Sequence, residues 1–203
     1  MKEIKLEENN RLQILQEALE VLRAGGTIVY PTETSYGLGG DFFDIKVIEK
    51  INKIKQRGQD KHLSVIVPDF VYAISLVTFT NTARRLATEH WPGPLTLVLP
   101  YKYHELNAHS DDYLALRVSS HPFASSLSIN LGNPLVATSA NISVTGDNYD
   151  PENILEQFSR AKLKPDLFIN AGKLPQTPPS TIIKVIGDKA EVLRQGGIKI
   201  AIN

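Results

Sequence analysis

The chain has 203 residues, enough for one substantial core, and its 22 Lys and Arg balance 22 Asp and Glu. A net charge of zero supplies no overall field to draw it to nucleic acid or an anionic membrane, and the lack of cysteine excludes disulfides, thiolate nucleophiles and zinc–sulfur sites. The polar N-terminus lacks the apolar stretch of a secretory signal, and no apolar run approaches the ~20 residues of a membrane span, so a cytoplasmic protein away from membranes is expected. In chain order, Asn10 is a candidate N-cap with Gln13 three residues on. Leu12, Leu15, Leu19 and Leu22 then line one helix face, and Gly25-Gly26 ends it. Residues 27–30 (TIVY) read as a buried strand running into PTETSYGLGG at 31–40, a strand end rich in hydroxyls and glycine. Asp44 can cap a second helix with Ile45, Ile48, Ile51 and Ile54 as its stripe, closed by KIKQR at 53–57 and stopped by Gly58.

Further along, 64–67 is a short strand ended by Pro68, and 70–77 and 82–90 are helical. Trp91-Pro92-Gly93-Pro94 is a rigid turn before a strand at 95–99. Residues 102–112 form a polar surface loop. A strand at 114–118 carries Arg117 among apolar neighbours, and a helix at 122–131 ends at Gly132. PLVATSANIS at 134–143 starts as a strand and turns into small polar groups, as at the strand ends where open α/β sheets bind ligands. An ordinary polar turn is the plain alternative. After a loop at 145–150 and a short helix at 151–158, the proline-bearing segment 173–180 reads as a crossing loop. Strands at 181–186 and 190–193 pair as a hairpin, and Arg194 follows. Helices and strands interleave throughout, predicting one layered α/β domain over residues 1–203 with a mixed sheet.

No phosphate-binding G-x-x-x-x-G-K-[ST], dinucleotide G-x-G-x-x-G or hydrolase G-x-S-x-G occurs, and the five histidines show no metal-ligand spacing. What remains is a set of cations and hydroxyls at the ends of elements. Lys55 and Arg57 end a helix, where a cation also opposes the helix dipole. Arg117, inside an apolar strand, must reach an anion or solvent, because burying its charge unpaired is costly. A structural salt bridge would also satisfy it. Arg194 stands before two glycines, as a ligand contact or a surface arginine. Thr32, Thr34, Ser35, Ser180 and Thr181 serve as ligand hydroxyls or as turn formers. Several cations together suggest a polyphosphate held without a phosphate-binding loop.

These residues fall in a recognisable order. PTETSYGLG at 31–39, K-x-R at Lys55 and Arg57, WPGPLTLVL at 91–99, LRVSSHP at 116–122, PLVATSANIS at 134–143, PSTII at 179–183 and VLRQGGI at 192–198 resemble the YrdC family of threonylcarbamoyl-AMP synthases. The resemblance runs from near residue 10 to near residue 198, so the short, single-domain form without the extra C-terminal domain of longer members is expected. It implies a three-layer α/β domain with a twisted mixed sheet around a deep, positively charged cavity. It implies a nucleotidyltransferase that makes threonylcarbamoyl-AMP and pyrophosphate from L-threonine, bicarbonate and ATP. Mg²⁺ would be carried on the ATP phosphates, with no protein metal ligands. The product would pass to a downstream threonylcarbamoyl transferase complex that modifies position 37 of tRNA.

Residue by residue, the resemblance makes Lys55, Arg57, Ser139 and Asn141 catalytic and ATP-binding, with Arg194 a further nucleotide contact. Thr32, Arg117, Thr138 and Ser180 would bind L-threonine. Ser35, Gly58, His62 and Val144 depart from the family pattern and bear on the loops after Arg57 and Ser143. The alternative is a module of the same fold that binds tRNA or double-stranded RNA without turnover. Zero net charge weighs against it, since phosphate-backbone binding needs clustered excess cations. Weak RNA contact beside the enzymatic role stays within what the resemblance allows.

Overall fold

The computed structural model describes residues 1–56, 63–103, 112–142 and 146–200. In chain order these form β1 (Lys2–Lys5), a 3₁₀ turn (Glu8–Asn10), α1 (Arg11–Arg23), β2 (Ile28–Pro31), β3 (Tyr36–Gly39), α2 (Ile45–Ile54) and β4 (Ser64–Ile66). Then come α3 (Phe70–Leu76), α4 (Asn81–His90), β5 (Leu95–Pro100), β6 (Tyr113–Arg117), α5 (Pro122–Leu131), β7 (Leu135–Val136) and β8 (Thr138–Ser139). The chain closes with α6 (Pro151–Ser159), β9 (Leu167–Asn170), β10 (Thr181–Ile186) and β11 (Lys189–Arg194). The α/β class and the mixed pairing hold, but the strands divide into two sheets where the sequence reading has one. One runs β1-β9-β2-β3-β8, the other β11-β10-β5-β6-β4-β7.

Each sheet mixes parallel and antiparallel neighbours. In the five-stranded sheet β9 is parallel to β1 and β2, while β3 is antiparallel to β2 and β8. In the six-stranded sheet β10 is parallel to β5 and antiparallel to β11, which is the expected hairpin. The segment 134–143 does more than end a strand. Leu135–Val136 pairs with β4 in one sheet, and Thr138–Ser139 pairs with β3 in the other. Ala137 is the crossing point, and Ser64 holds it twice: Ala137 N donates to Ser64 O at 2.8 Å, and Ser64 Oγ donates to Ala137 O at 2.7 Å.

The period-2 alternation of strands explains the layering. Ile28, Tyr30, Leu167 and Ile169 turn one face of the five-stranded sheet toward a core shared with Ile14, Ala18 and Leu22 of α1 and Phe123 and Leu127 of α5. Val29, Leu38 and Phe168 turn the other face toward a second core, with Ile48 and Ile51 of α2 and Phe158 of α6. Leu95, Leu97, Leu99, Leu114, Leu116, Ile183 and Val185 bring the six-stranded sheet into that second core. The residues between them on β5, β6 and β10 are left for the sheet's other face.

Several local expectations shift. Asn10 does not cap α1: its Oδ1 accepts from Glu7 N at 2.9 Å, which closes the preceding 3₁₀ turn. The buried face of α1 is Ile14, Ala18, Leu19 and Leu22, with Leu12 77% exposed in the first turn. On α2, Val47 replaces Ile45 in the buried stripe, and Asp44 caps as expected, accepting from Lys46 N at 2.9 Å. Neither β1 nor β9 is predicted. KEIK offers a single apolar residue, and LFIN is a four-residue run short enough to be absorbed into a loop. Arg57, Gly58 and Ser143 lie outside the described residues, as does most of the 102–112 loop. Among the described residues, no helix is long and apolar enough to cross a membrane.

Candidate active site

The polar face of the six-stranded sheet forms one wall of a hollow of about 710 Å³. Tyr113, Ala115 and Arg117 alternate along β6 to line it, as do Ile182 and Lys184 on β10, with Ser180 just before that strand. Across the strands, Lys184 pairs with Val98, Val98 with Ala115, and Ala115 with Ser64. All four line the hollow, and the small side chains of Ala115 and Ser64 leave the room that larger ones would fill. The opposite wall comes from the five-stranded sheet, through Thr32, Thr34 and Ser35 on the β2–β3 turn, Tyr36 and Gly37 on β3, and Thr138 and Ser139 on β8.

Thr32, Lys55, Arg117, Thr138, Ser139, Asn141, Ser180 and Arg194 all line this one hollow. Arg57 lies outside the described residues. The lining carries Lys55, Arg117, Lys184 and Arg194 together with the carboxylates Asp112 and Asp147. Its charge is therefore of both signs, with cations in excess.

Lys55 is the C-cap of α2 and is 4% exposed, with its ammonium held by the segment 139–141. Its Nζ donates to Ser139 O at 2.6 Å, to Asn141 O at 2.9 Å and to Asn141 Oδ1 at 2.6 Å. Ser139 Oγ donates to the same Oδ1 at 2.7 Å. A buried ammonium needs such acceptors to offset its desolvation. Here it also fixes the chain that crosses between the sheets, so the cation and the S-x-N segment form one constellation.

Thr32 Oγ1 donates to Ser35 O at 2.7 Å and lies 3.0 Å from Thr34 Oγ1, so the turn-forming role holds and sets two hydroxyls at the hollow's edge. Arg117 carries the salt bridge weighed as the alternative to ligand binding. Its Nε lies 3.2 Å from Glu33 Oε1, with both side chains largely buried. The same arginine lines the hollow, so the two roles coexist. Arg194 donates from Nε and Nη2 to Ser180 O at 3.1 and 2.9 Å, and from Nη2 to Ser180 Oγ at 3.0 Å. Burial pulls its pKa below the usual arginine range; Asp147 opposes this and Arg117 adds to it. Arg117 and Arg194 both come from the six-stranded sheet, and an anion held against that wall would offset the charge of both. Tyr36, also on the wall, is pushed up to about 12, chiefly by burial. Its hydroxyl donates to Gly172 O at 2.6 Å and accepts from Ala171 N at 2.9 Å.

Sequence reasoning missed Lys184, Tyr113, Asp112, Asp147 and Glu33. For the first two a signal existed: Ser180, Ile182 and Lys184 share one strand face, as do Tyr113, Ala115 and Arg117. The Lys184 ammonium lies 4.0 Å from the centre of the Tyr113 ring, a cation–π contact on the wall.

A hollow between two mixed sheets, lined by hydroxyls, carboxylates, two arginines and a buried lysine, is the polar-lined cleft of an α/β protein that can take a small-molecule ligand. The chain belongs to the Sua5/YciO/YrdC family, whose model, described as "Telomere recombination", matches residues 20–196. A Methanocaldococcus jannaschii protein that bears the provisional name threonylcarbamoyl-AMP synthase is 31% identical over 96% of this chain and 91% of its own length. The crystal structure of P. abyssi Sua5 complexed with L-threonine superposes with a TM-score of 0.85 at 29% identity, over 97% of this chain. This chain spans 57% of that Sua5 chain's length. E. coli YciO superposes with a TM-score of 0.82 at 28% identity, over 96% of this chain and 94% of YciO.

Proposed function

We propose that this protein is an L-threonylcarbamoyladenylate synthase, a nucleotidyltransferase that forms threonylcarbamoyl-AMP from L-threonine, bicarbonate and ATP and releases pyrophosphate and water. The observation that carries the reading is the convergence of eight family-motif residues on one hollow. The Sua5 relative complexed with L-threonine and the relative named as a synthase support it.

In this reading Arg117, Thr32, Thr138 and Ser180 bind L-threonine, the arginine taking its carboxylate. Lys55, Ser139, Asn141 and Arg194 bind the nucleotide, with Arg57 beside Lys55 in sequence. The amine and bicarbonate give a carbamate, and a carbamate oxygen attacks the α-phosphorus. The α-phosphorus–oxygen bond to the β-phosphate breaks, and pyrophosphate carries that electron pair away. Such chemistry needs positioned charge more than a protein nucleophile. Among the described residues no group of three or more His, Cys, Asp and Glu could hold a metal ion. A Mg²⁺ ion carried on the ATP phosphates would neutralise their charge, and Asp147 and Asp112 are the carboxylates on the lining. The product would serve a transferase acting on tRNA position 37, in the cytoplasm. The reading as an RNA-binding module is not favoured, since zero net charge argues against it.

The test is pyrophosphate release with mass spectrometry of the product. Release is expected to require threonine and bicarbonate together; release indifferent to threonine would overturn the reading. Lys55→Ala and Arg57→Ala are each expected to lower ATP use by about 100-fold or more. Arg117→Ala is expected to raise the threonine KM by roughly 10- to 100-fold, the range for a lost charged hydrogen bond. An unchanged threonine KM would remove Arg117 from the amino-acid site.

A further inference from the structure

Glu33 sits between Thr32 and Thr34, both on the hollow's lining, yet is not part of that lining itself. Its carboxylate reaches the end of β6 in the other sheet. Oε1 meets Arg117 Nε, and Oε2 accepts a hydrogen bond from Ser119 Oγ. Ser119 Oγ in turn accepts from His121 N at 3.2 Å, which ties the carboxylate to the start of α5. The loop that carries Glu33 is held as well: Thr177 Oγ1 donates to Glu33 O at 3.1 Å and to Thr34 O at 2.7 Å. The side chains of Glu33 and Arg117 are 11% and 7% exposed.

A pair buried this far is a poor source of stability, because desolvating both charges offsets most of their attraction. Neither Glu33 Oε1 nor Arg117 Nε has an aligned hydrogen bond, so their contact is a charge contact. Among the described residues this is the sole ion pair of Arg117. It engages Nε and leaves the four terminal N–H donors of the guanidinium fork to whatever occupies the hollow.

We propose that Glu33 is a positioning residue: anchored by Ser119, it holds the Arg117 guanidinium across the gap between the sheets, presenting its terminal donors to the ligand's carboxylate. This rests on the proposed function only in naming the carboxylate as that of threonine. Without the anion, the guanidinium would be drawn toward other acceptors or solvent, and the site would lose carboxylate affinity while keeping its nucleotide contacts.

The experiment uses Glu33→Gln, Glu33→Ala and Ser119→Ala in the full chain. Order parameters of the arginine Nε–H bonds are measured by NMR, with the Arg117 signal assigned by its loss in Arg117→Lys. Calorimetry gives L-threonine and ATP affinities. In the wild type the Arg117 signal is expected to be rigid; in Glu33→Ala it should fall below about 0.6, the flexible range. Threonine affinity should drop by about 10- to 100-fold, as for a misplaced binding group, with ATP affinity within about twofold. Ser119→Ala should show a smaller change in the same direction. A purely structural role would lower the melting temperature and leave the arginine ordered and threonine affinity intact. That result in folded Glu33→Gln would overturn the proposal, and the two milder variants decide the matter if Glu33→Ala does not fold. If the wild type fails to bind threonine, the proposed function falls, while the arginine's order alone decides whether Glu33 positions it.

Discussion

A histidine stands where a helix N-cap is usually Ser, Thr, Asp or Asn. His121 Nδ1 accepts from Phe123 N at 3.2 Å and from Ala124 N at 3.5 Å at the start of α5. It can accept only while that nitrogen is unprotonated. Burial holds its pKa below the ordinary histidine value; Glu33 opposes the shift and Arg11 adds to it. The unfolded chain therefore takes up the proton first as pH falls. The cap's contribution is complete above the unfolded histidine pKa of about 6.5 and is lost as pH falls through the folded value. His121→Asn should keep a cap that does not titrate. Urea unfolding between pH 7.5 and pH 5 should show a shallower loss of stability in His121→Asn than in the wild type; equal slopes would exclude the histidine as the source.

At this scale the candidate site was legible where a side chain's chemistry clashes with its neighbours. Arg117 inside an apolar strand announces a need for a partner, whereas Lys55 at a helix end is also accounted for by the helix dipole. Glu33 gave no such signal, because a carboxylate in a polar turn is unremarkable until the fold brings β6 against it. Lys184 was hidden differently. In a hairpin strand it reads as the solvent face; it shares that face with Ser180 and Ile182, and the sheet order shows that the face looks into the hollow.

At the scale of elements, helix and strand positions were largely readable, but their buried faces were less so. Leu12 and Ile45 both lie in first turns, where the chain enters the helix from outside the core, so an apolar residue there need not face inward. The end of α2 offers a test of local backbone cost. Gln56 follows the Lys55 cap with φ of +51°, in the left-handed region that favours glycine. Gln56→Gly should relieve about 1 kcal/mol of that cost. A rise in melting temperature of roughly 2–4 °C is expected for a chain of this size. A lower melting temperature would mean that the side chain makes contacts worth more than the backbone relief. The opposite case is Gly39 on β3, where an added Cβ would stand 2.2 Å from Val136 O and 2.8 Å from the Tyr30 ring. Those neighbours are backbone and a buried ring, so Gly39→Ala should cost about 1–3 kcal/mol, read by urea unfolding, as other overpacked sites do.

For the whole molecule, the division into two sheets could not be read from the sequence, because strand patterns do not say which partner each strand takes. PLVATSANIS contains two pairs of strand residues, and only their partners show that Ala137 passes from one sheet to the other. That topology has a thermodynamic consequence. The hollow takes Thr32, Thr138 and Ser139 from one sheet and Arg117, Ser180 and Lys184 from the other, so a ligand filling it must bridge both. A ligand that binds the folded chain alone stabilises it by about 2.7 kcal/mol at one hundred times its Kd. With 2–4 °C per kcal/mol at this size, saturating threonine should raise the melting temperature by roughly 5–10 °C. Amide exchange should locate the effect: threonine and ATP together should slow exchange in β3 and β8 and equally in β5, β6 and β10. Protection confined to one sheet would mean that the ligand rests on a single wall.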